Sequence, residues 1–223
     1  MLKLYGFPIS NYSNMVQLAL MEKGIAYEYM LTYPEPTDAF LAKSPRGKVP
    51  CMETPQGFIS ETSVILEYLE DCGVGKALLP ADHYARARVR ALMKEIELYI
   101  ELPARMCFPE AFFGATLPDA IKAMAKEELV AGFSTLKRHG LFAPYVAGDQ
   151  FTLADILFLF SADLGAMVGE ILFGLNLLGD IPGAEALMDR LNENPNVQQL
   201  VKERESGMPG FIASNKIRLA RRK

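Results

Sequence analysis

The chain has 223 residues, enough for one large domain or two small ones. Half of them are hydrophobic and 22% are charged, a globular composition that excludes a wholly disordered chain. With 23 Lys and Arg against 27 Asp and Glu, the formal net charge of −4 argues against a general nucleic-acid binder. Leu2-Lys3-Leu4-Tyr5 alternates as a strand does, and Phe7-Pro8 stops it. Met15, Val16, Leu18, Leu20 and Met21 give a short helix that Lys23-Gly24 closes with a cation and a glycine. Tyr27 to Leu31 reads as a second strand, and a loop with Pro34 and Pro36 leads to a helical turn around Asp38–Lys43. Val49 to Glu53 is a third strand and Phe58-Ile59 a fourth, joined as a hairpin by Thr54-Pro55-Gln56-Gly57. Ser63 to Leu69 is an amphipathic helix ended by Cys72-Gly73. A right-handed crossover makes the first two strands parallel and the hairpin adds an antiparallel pair. The first part of the chain is therefore a mixed four-stranded sheet with helices on both faces.

From Asp82 onward no strand is predicted. Residues 83–102 form a long helix with Val89, Leu92, Met93, Ile96 and Ile100 on its apolar face, and Pro103 is expected to kink or end it. Pro118 opens a helix that reaches about Arg138 and stops at His139-Gly140. Thr152 to Met167 is apolar nearly all round, the mark of a central buried helix. Two short helices near 183–192 and 195–205 complete an all-α second domain. The expected division is 1–76, 82–210 and a tail at 211–223, whose Lys216, Arg218, Arg221, Arg222 and Lys223 suit a solvated end.

Cys51, Cys72 and Cys107 form no C-x-x-C pair, and their odd number excludes a fully paired framework, as suits a reducing compartment. With two histidines, no metal site is expected. The start MLKLYGFP lacks the layout of a signal peptide, and no run of eighteen or more apolar residues is read, so the expectation is a cytoplasmic protein without a membrane span.

Three segments carry chemistry. Val49-Pro50 lies where a strand begins; the proline removes a ladder donor, and a cis bond there would turn the Val49 N–H and C=O toward an extended peptide. Glu61-Thr62-Ser63 opens a helix whose free N–H groups favour a carboxylate, while Glu61 offers the opposite charge to an ammonium group. Ordinary capping by Ser60 or Thr62 is the simpler reading of the same residues. Thr152-x-x-Asp155 is a capping box, a folding element and not a catalytic carboxylate.

Ser44-Pro45-Arg46-Gly47-Lys48-Val49-Pro50, then Ser60-Glu61-Thr62-Ser63-Val64-Ile65-Leu66-Glu67-Tyr68-Leu69, then Val146-Ala147-Gly148-Asp149-Gln150-Phe151-Thr152-Leu153-Ala154-Asp155 resemble the motifs of the cytosolic glutathione S-transferases, in order and spacing over essentially the whole chain. Ser44 and Thr62 stand where that family usually has asparagine and serine. The resemblance implies an α/β thioredoxin-like N-terminal domain that binds glutathione, an all-α C-terminal domain that holds an electrophile, and a homodimer. Glutathione would be a co-substrate, without nucleic acid, membrane or metal as a partner.

By the same resemblance Val49, Pro50, Glu61 and Thr62 bind the peptide, and Lys48 faces its glycine carboxylate. Ser10, six residues before Val16, matches the activating serine of the theta, delta and zeta-like classes, with Tyr5 and Tyr12 as alternatives. A free thiol near pKa 8.5 is only a few per cent ionised at pH 7, so a hydroxyl donating to the sulfur is useful. Ser10 can equally be a plain helix cap. Ser10 and Ser13 occupy the places of a C-x-x-C dithiol, which disfavours thiol–disulfide exchange through a protein cysteine. The electrophile pocket is assigned to Tyr99, Arg105, Met106, Phe108, Phe112 and Phe113, with Arg105 suited to an acidic substrate. The implied reaction is thiolate attack on a small hydrophobic electrophile. The resemblance points to a bacterial, serine-type, theta/zeta-like member of the family; the alternatives are a glutathione-dependent isomerase or dehalogenase of the same fold, or a non-catalytic binding or regulatory protein of that fold.

Overall fold

The N-terminal elements are β1 (Leu2–Gly6), α1 (Asn11–Glu22), β2 (Tyr27–Leu31), α2 (Asp38–Leu41), β3 (Cys51–Thr54), β4 (Gly57–Ser60) and α3 (Thr62–Asp71). The structure, a computed structural model, describes the backbone of residues 1–220 and the side chains of residues 1–214. The strands form one sheet in the order β2-β1-β3-β4, with β1 and β2 parallel and the other two pairings antiparallel. Leu4 and Met52 face each other across β1 and β3 and are fully buried, as are Met15 and Leu18 of α1 and Ile65 and Leu66 of α3. Helix α1 begins four residues before the first apolar position because Ser10 caps it. Its other end is tied down by Lys23, whose Nζ lies 2.7 Å from the Glu70 carboxylate with both side chains almost wholly buried. The same ammonium donates to the Lys76 carbonyl, and Glu70 accepts the Leu78 N–H.

Leu79–Asn192 form a separate unit. It contains α4 (His83–Ile96), α5 (Leu102–Phe113), α6 (Asp119–His139), α7 (Leu153–Leu157), α8 (Asp163–Phe173) and α9 (Ala184–Asn192). A π-turn, Glu97–Glu101, joins α4 to α5, so the helix runs on through Pro103 where the sequence predicted a kink or an end. Pro103 has no N–H for the Tyr99 carbonyl four residues back, and Leu102 bonds instead to Glu97. The released Tyr99 oxygen lies against Gly132 of α6, where a Cβ would stand 2.1 Å from it. A second π-turn, Phe158–Ala162, joins α7 to α8. The helical run Leu153–Phe173, with a mean hydropathy of 1.9, is long and apolar enough to cross a membrane, contrary to the sequence expectation that no such segment exists. Its Ile156, Phe158, Ala162 and Val168 are fully buried within the unit, as in a core helix.

The last helix, α10 (Pro195–Ala220), corrects the sequence reading twice. It is one long helix where a short one and a solvated tail were expected, and from Glu193 to Ala220 the chain groups with Met1–Leu78 rather than with the helical unit. The reason is a set of partners on the other side of the sequence: Glu22 accepts from Asn194 and Asn196, Gln17 donates to Glu203, and Phe211 stacks on Phe7. Arg221, Arg222 and Lys223, and the side chains of Lys216 and Arg218, lie outside the described residues.

Candidate functional site

Sheet register brings the predicted segments to one end of the sheet. Tyr5 of β1 pairs with Cys51 of β3, which pairs with Ser60 of β4. The chain leaving β1 toward Ser10, the chain entering β3 through Val49-Pro50, and the chain leaving β4 through Glu61-Thr62 therefore meet at the same end of the sheet.

In the first segment the Ser10 N–H donates to the Phe7 carbonyl at 2.9 Å, and Asn14 Nδ2 donates to the Pro8 carbonyl at 3.0 Å. Ser10 is the N-cap of α1, its Oγ accepting the Ser13 N–H at 3.2 Å, and it is 9% exposed. The capping role is thus realised, and because the hydroxyl accepts in that bond its own proton remains available to a neighbouring sulfur. Tyr12 stands half-buried in the first turn of the same helix. Tyr5, the other predicted alternative, donates to Glu53 at 2.5 Å and accepts from Lys43 at 3.1 Å. The Tyr5 hydroxyl and the Lys3 ammonium hold the Glu53 carboxyl below the usual carboxylate range.

In the second segment the Val49–Pro50 bond is cis, and among the described residues neither the Val49 N–H nor its C=O makes a backbone bond in the turns and loops. Ser44 fixes this stretch from below: its hydroxyl donates to the Lys48 carbonyl at 2.8 Å and accepts the Lys48 N–H at 3.2 Å. This is what the serine does in the place of the family's asparagine. Lys48 itself is exposed. Cys51 is fully buried, its Sγ donating to the Lys43 carbonyl at 3.4 Å, and burial pushes its thiol up to about 11. It is therefore no nucleophile at neutral pH.

In the third segment Glu61, not Ser60 or Thr62, is the N-cap of α3, and no side chain caps the helix, which corrects the capping reading. Glu61 is exposed and has a left-handed backbone, φ 70° and ψ 119°, costing about 1–3 kcal/mol in a residue with a Cβ. An uncapped N-terminus behind a strained acid leaves helix N–H groups and a carboxylate side by side, a pairing suited to a zwitterionic α-amino acid group.

The residues predicted to bind the electrophile lie on α5 and the π-turn before it. The Arg105 guanidinium sits 5.0 Å from the Phe108 ring, Phe108 meets Phe112 edge-on at 5.1 Å, and Phe112 meets Phe113 at 6.5 Å. Tyr99, Met106 and Phe113 are exposed. Arg105, read from the sequence as suited to an acidic substrate, already holds an acid of its own chain: its Nε donates to the fully buried Glu101 carboxylate at 2.9 Å, and its Nη2 donates to the same oxygen. The sequence pattern puts Glu101 on the charged face of the long helix, but it is fully buried; an acid four residues before an arginine on a helix was the signal for the pair. A groove of about 440 Å³ in this unit, lined by Tyr84, Arg88, Leu92, His139, Leu141 and Gln150 among others, contains none of the predicted pocket residues. The Thr152–Asp155 capping box is formed as predicted.

Comparison with known proteins agrees with this fold. Residues 4–74 match the family model for the glutathione S-transferase N-terminal domain, and residues 98–195 match that for the C-terminal domain. A glutathione S-transferase of Pseudomonas putida is 54% identical over 212 residues, covering 95% of this chain and 96% of that protein. A maleylpyruvate isomerase of a Ralstonia species is 39% identical over 165 residues, 69% of this chain and 77% of the other. The crystal structure of glutathione transferase F2 from Populus trichocarpa superposes with a TM-score of 0.78 at 18% identity, over 93% of this chain and all of that one. With both domains matched in order and a relative this similar along its whole length, the chain belongs to the glutathione S-transferase family.

Proposed function

We propose that the protein is a cytoplasmic, homodimeric glutathione transferase in which Ser10 donates a hydrogen bond to the glutathione thiolate, which then attacks a small hydrophobic electrophile. The observation that carries this is the sheet register, which aligns the strand ends next to the Ser10 turn, Val49-Pro50 and Glu61-Thr62 at one end of the sheet. Val49 offers a peptide N–H and C=O, Glu61 and the first turn of α3 suit the γ-glutamyl ammonium and carboxylate, and Lys48 is placed in sequence for the glycine carboxylate. Ser10 is favoured over Tyr5, whose hydroxyl is already held by Glu53 and Lys43. Stabilising the thiolate by one pKa unit contributes about 1.4 kcal/mol, and holding it against the electrophile contributes through proximity.

The test is the pH at which bound glutathione develops thiolate ultraviolet absorbance. Ser10→Ala is expected to raise that midpoint by about one unit. An unchanged midpoint would move the role to Tyr12 or Tyr5, and absence of glutathione binding at millimolar concentration would sink the enzymatic reading in favour of a non-catalytic binding protein. A second reading, an isomerase that uses glutathione without consuming it, is favoured by the 39% identity to the maleylpyruvate isomerase. Titration of free thiol during turnover separates the two, since only a transferase consumes it.

A further inference from the structure

Helix α10 runs antiparallel along α1 and passes over the turn that delivers Ser10. Near its start Asn194 and Asn196 each donate to Glu22 at 2.8 Å, at the far end of α1. Glu203 then accepts from Gln17 at 2.9 Å. Gly207 comes next, with its backbone directly on Pro8: a Cβ there would lie 2.8 Å from the prolyl Cβ and Cγ. One turn further, Phe211 stacks on Phe7 with centroids 5.5 Å apart and planes within 8°. Phe7 also meets Tyr33 at 5.3 Å, and a Cβ on Gly210 would lie 3.0 Å from the Tyr33 hydroxyl.

The two residues gripped in this way are the ones that set the turn. The Phe7 carbonyl accepts the Ser10 N–H, and the Pro8 carbonyl is held by Asn14. A misplacement of about 1 Å at a reacting group can cost a hundredfold in rate, so a loop that carries one needs stiffening from outside. We propose that α10 is a positioning element for the thiol site: Phe211 on Phe7, and Gly207 on Pro8, hold the turn so that the Ser10 hydroxyl points at the glutathione sulfur. Phe211 touches no reacting atom and acts through Phe7. The inference rests on the reading of Ser10 as the activating group.

The experiment uses the full-length protein and reads the thiolate midpoint of bound glutathione together with kcat and the glutathione KM. Phe211→Ala is expected to raise the midpoint by about half a unit to one unit, a three- to tenfold loss of thiolate below it, with KM within about twofold. Phe211→Tyr, which keeps the ring, is expected to restore the wild-type midpoint. Gly207→Ala adds one methyl group against Pro8 and is expected to shift the midpoint the same way without emptying the place under Phe7. On a Ser10→Ala background, Phe211→Ala is expected to add no further shift, because the group it positions is gone. If Ser10→Ala raises the midpoint while Phe211→Ala and Gly207→Ala lower only the melting temperature, α10 is merely structural and the proposal fails with the Ser10 reading intact. If Ser10→Ala leaves the midpoint unchanged, the Ser10 reading fails and takes this proposal with it.

Discussion

Asp155 shows how one side chain can serve folding while looking catalytic. It is fully buried, and its carboxylate accepts the Val146 N–H at 2.8 Å, the Thr152 N–H at 2.7 Å and the Thr152 hydroxyl at 3.0 Å. Burial pushes its carboxyl from 3.8 up to about 6, with the two backbone donors and the hydroxyl pulling it back. A raised carboxyl binds its proton more tightly in the folded state. Its contribution is therefore fully present below about pH 4 and is lost as the pH climbs through 6. Asp155→Asn supplies an amide that cannot accept at both oxygens and leaves a buried donor unmet, at a cost of about 1–3 kcal/mol, or roughly 2–4 °C per kcal/mol in a chain of this length. Thermal melts from pH 4 to 6 are expected to show the variant melting lower throughout. The gap should narrow as the wild type loses its protonated-state advantage, and a gap that widens would contradict the raised value. The capping box was legible because its signature lies within four residues. Glu53 and Lys43 were not, since their common partner, the Tyr5 hydroxyl, is 48 and 38 residues away in sequence.

Among the elements, the joined helix α4–α5 departs furthest from its sequence pattern. Pro103 read as a breaker, and locally it is one, since it removes the donor for the Tyr99 carbonyl. What lets the helix continue is the π-turn together with Gly132, which makes room for the freed carbonyl from a different helix. No window along the chain contains both halves of that solution. Two glycines face this π-turn and should respond differently to an added methyl group. Gly132→Ala would place a Cβ 2.1 Å from a backbone oxygen, whereas Gly165→Ala would meet Ile100 Cγ2 at 2.5 Å, a buried β-branched methyl group that yields less than a free chain end but more than a backbone carbonyl. Each gains about 1 kcal/mol of helix propensity, while overpacking costs about 1–3 kcal/mol or more. Urea denaturation is therefore expected to show both variants destabilised, Gly165→Ala by about 1 kcal/mol and Gly132→Ala by about 2 kcal/mol or more. Equal effects would mean that the Tyr99 carbonyl is not pinned against α6.

At the scale of the whole molecule, chain order and folding unit part company at Glu193. The strand and helix order of residues 1–75 was readable because each element has its own periodicity and its own punctuation. The domain to which α10 belongs was not, because its apolar and polar partners, Phe7, Pro8, Gln17 and Glu22, are nearly two hundred residues upstream. Residues 82–210 thus looked like one helical domain, whereas the last helix completes the sheet unit. A chain ending at Asn192 tests this physically. It lacks the acceptor for Gln17, the donors to Glu22 and the ring on Phe7, all of them losses within Met1–Leu78. Amide hydrogen exchange reports local opening free energies segment by segment. Exchange is expected to accelerate in α1 and in the Phe7–Ser10 turn, while the buried amides of α6 and α7 keep their protection. Equal acceleration in both units would show that α10 stabilises the chain as a single cooperative body, and faster exchange confined to Leu79–Asn192 would return α10 to the helical domain.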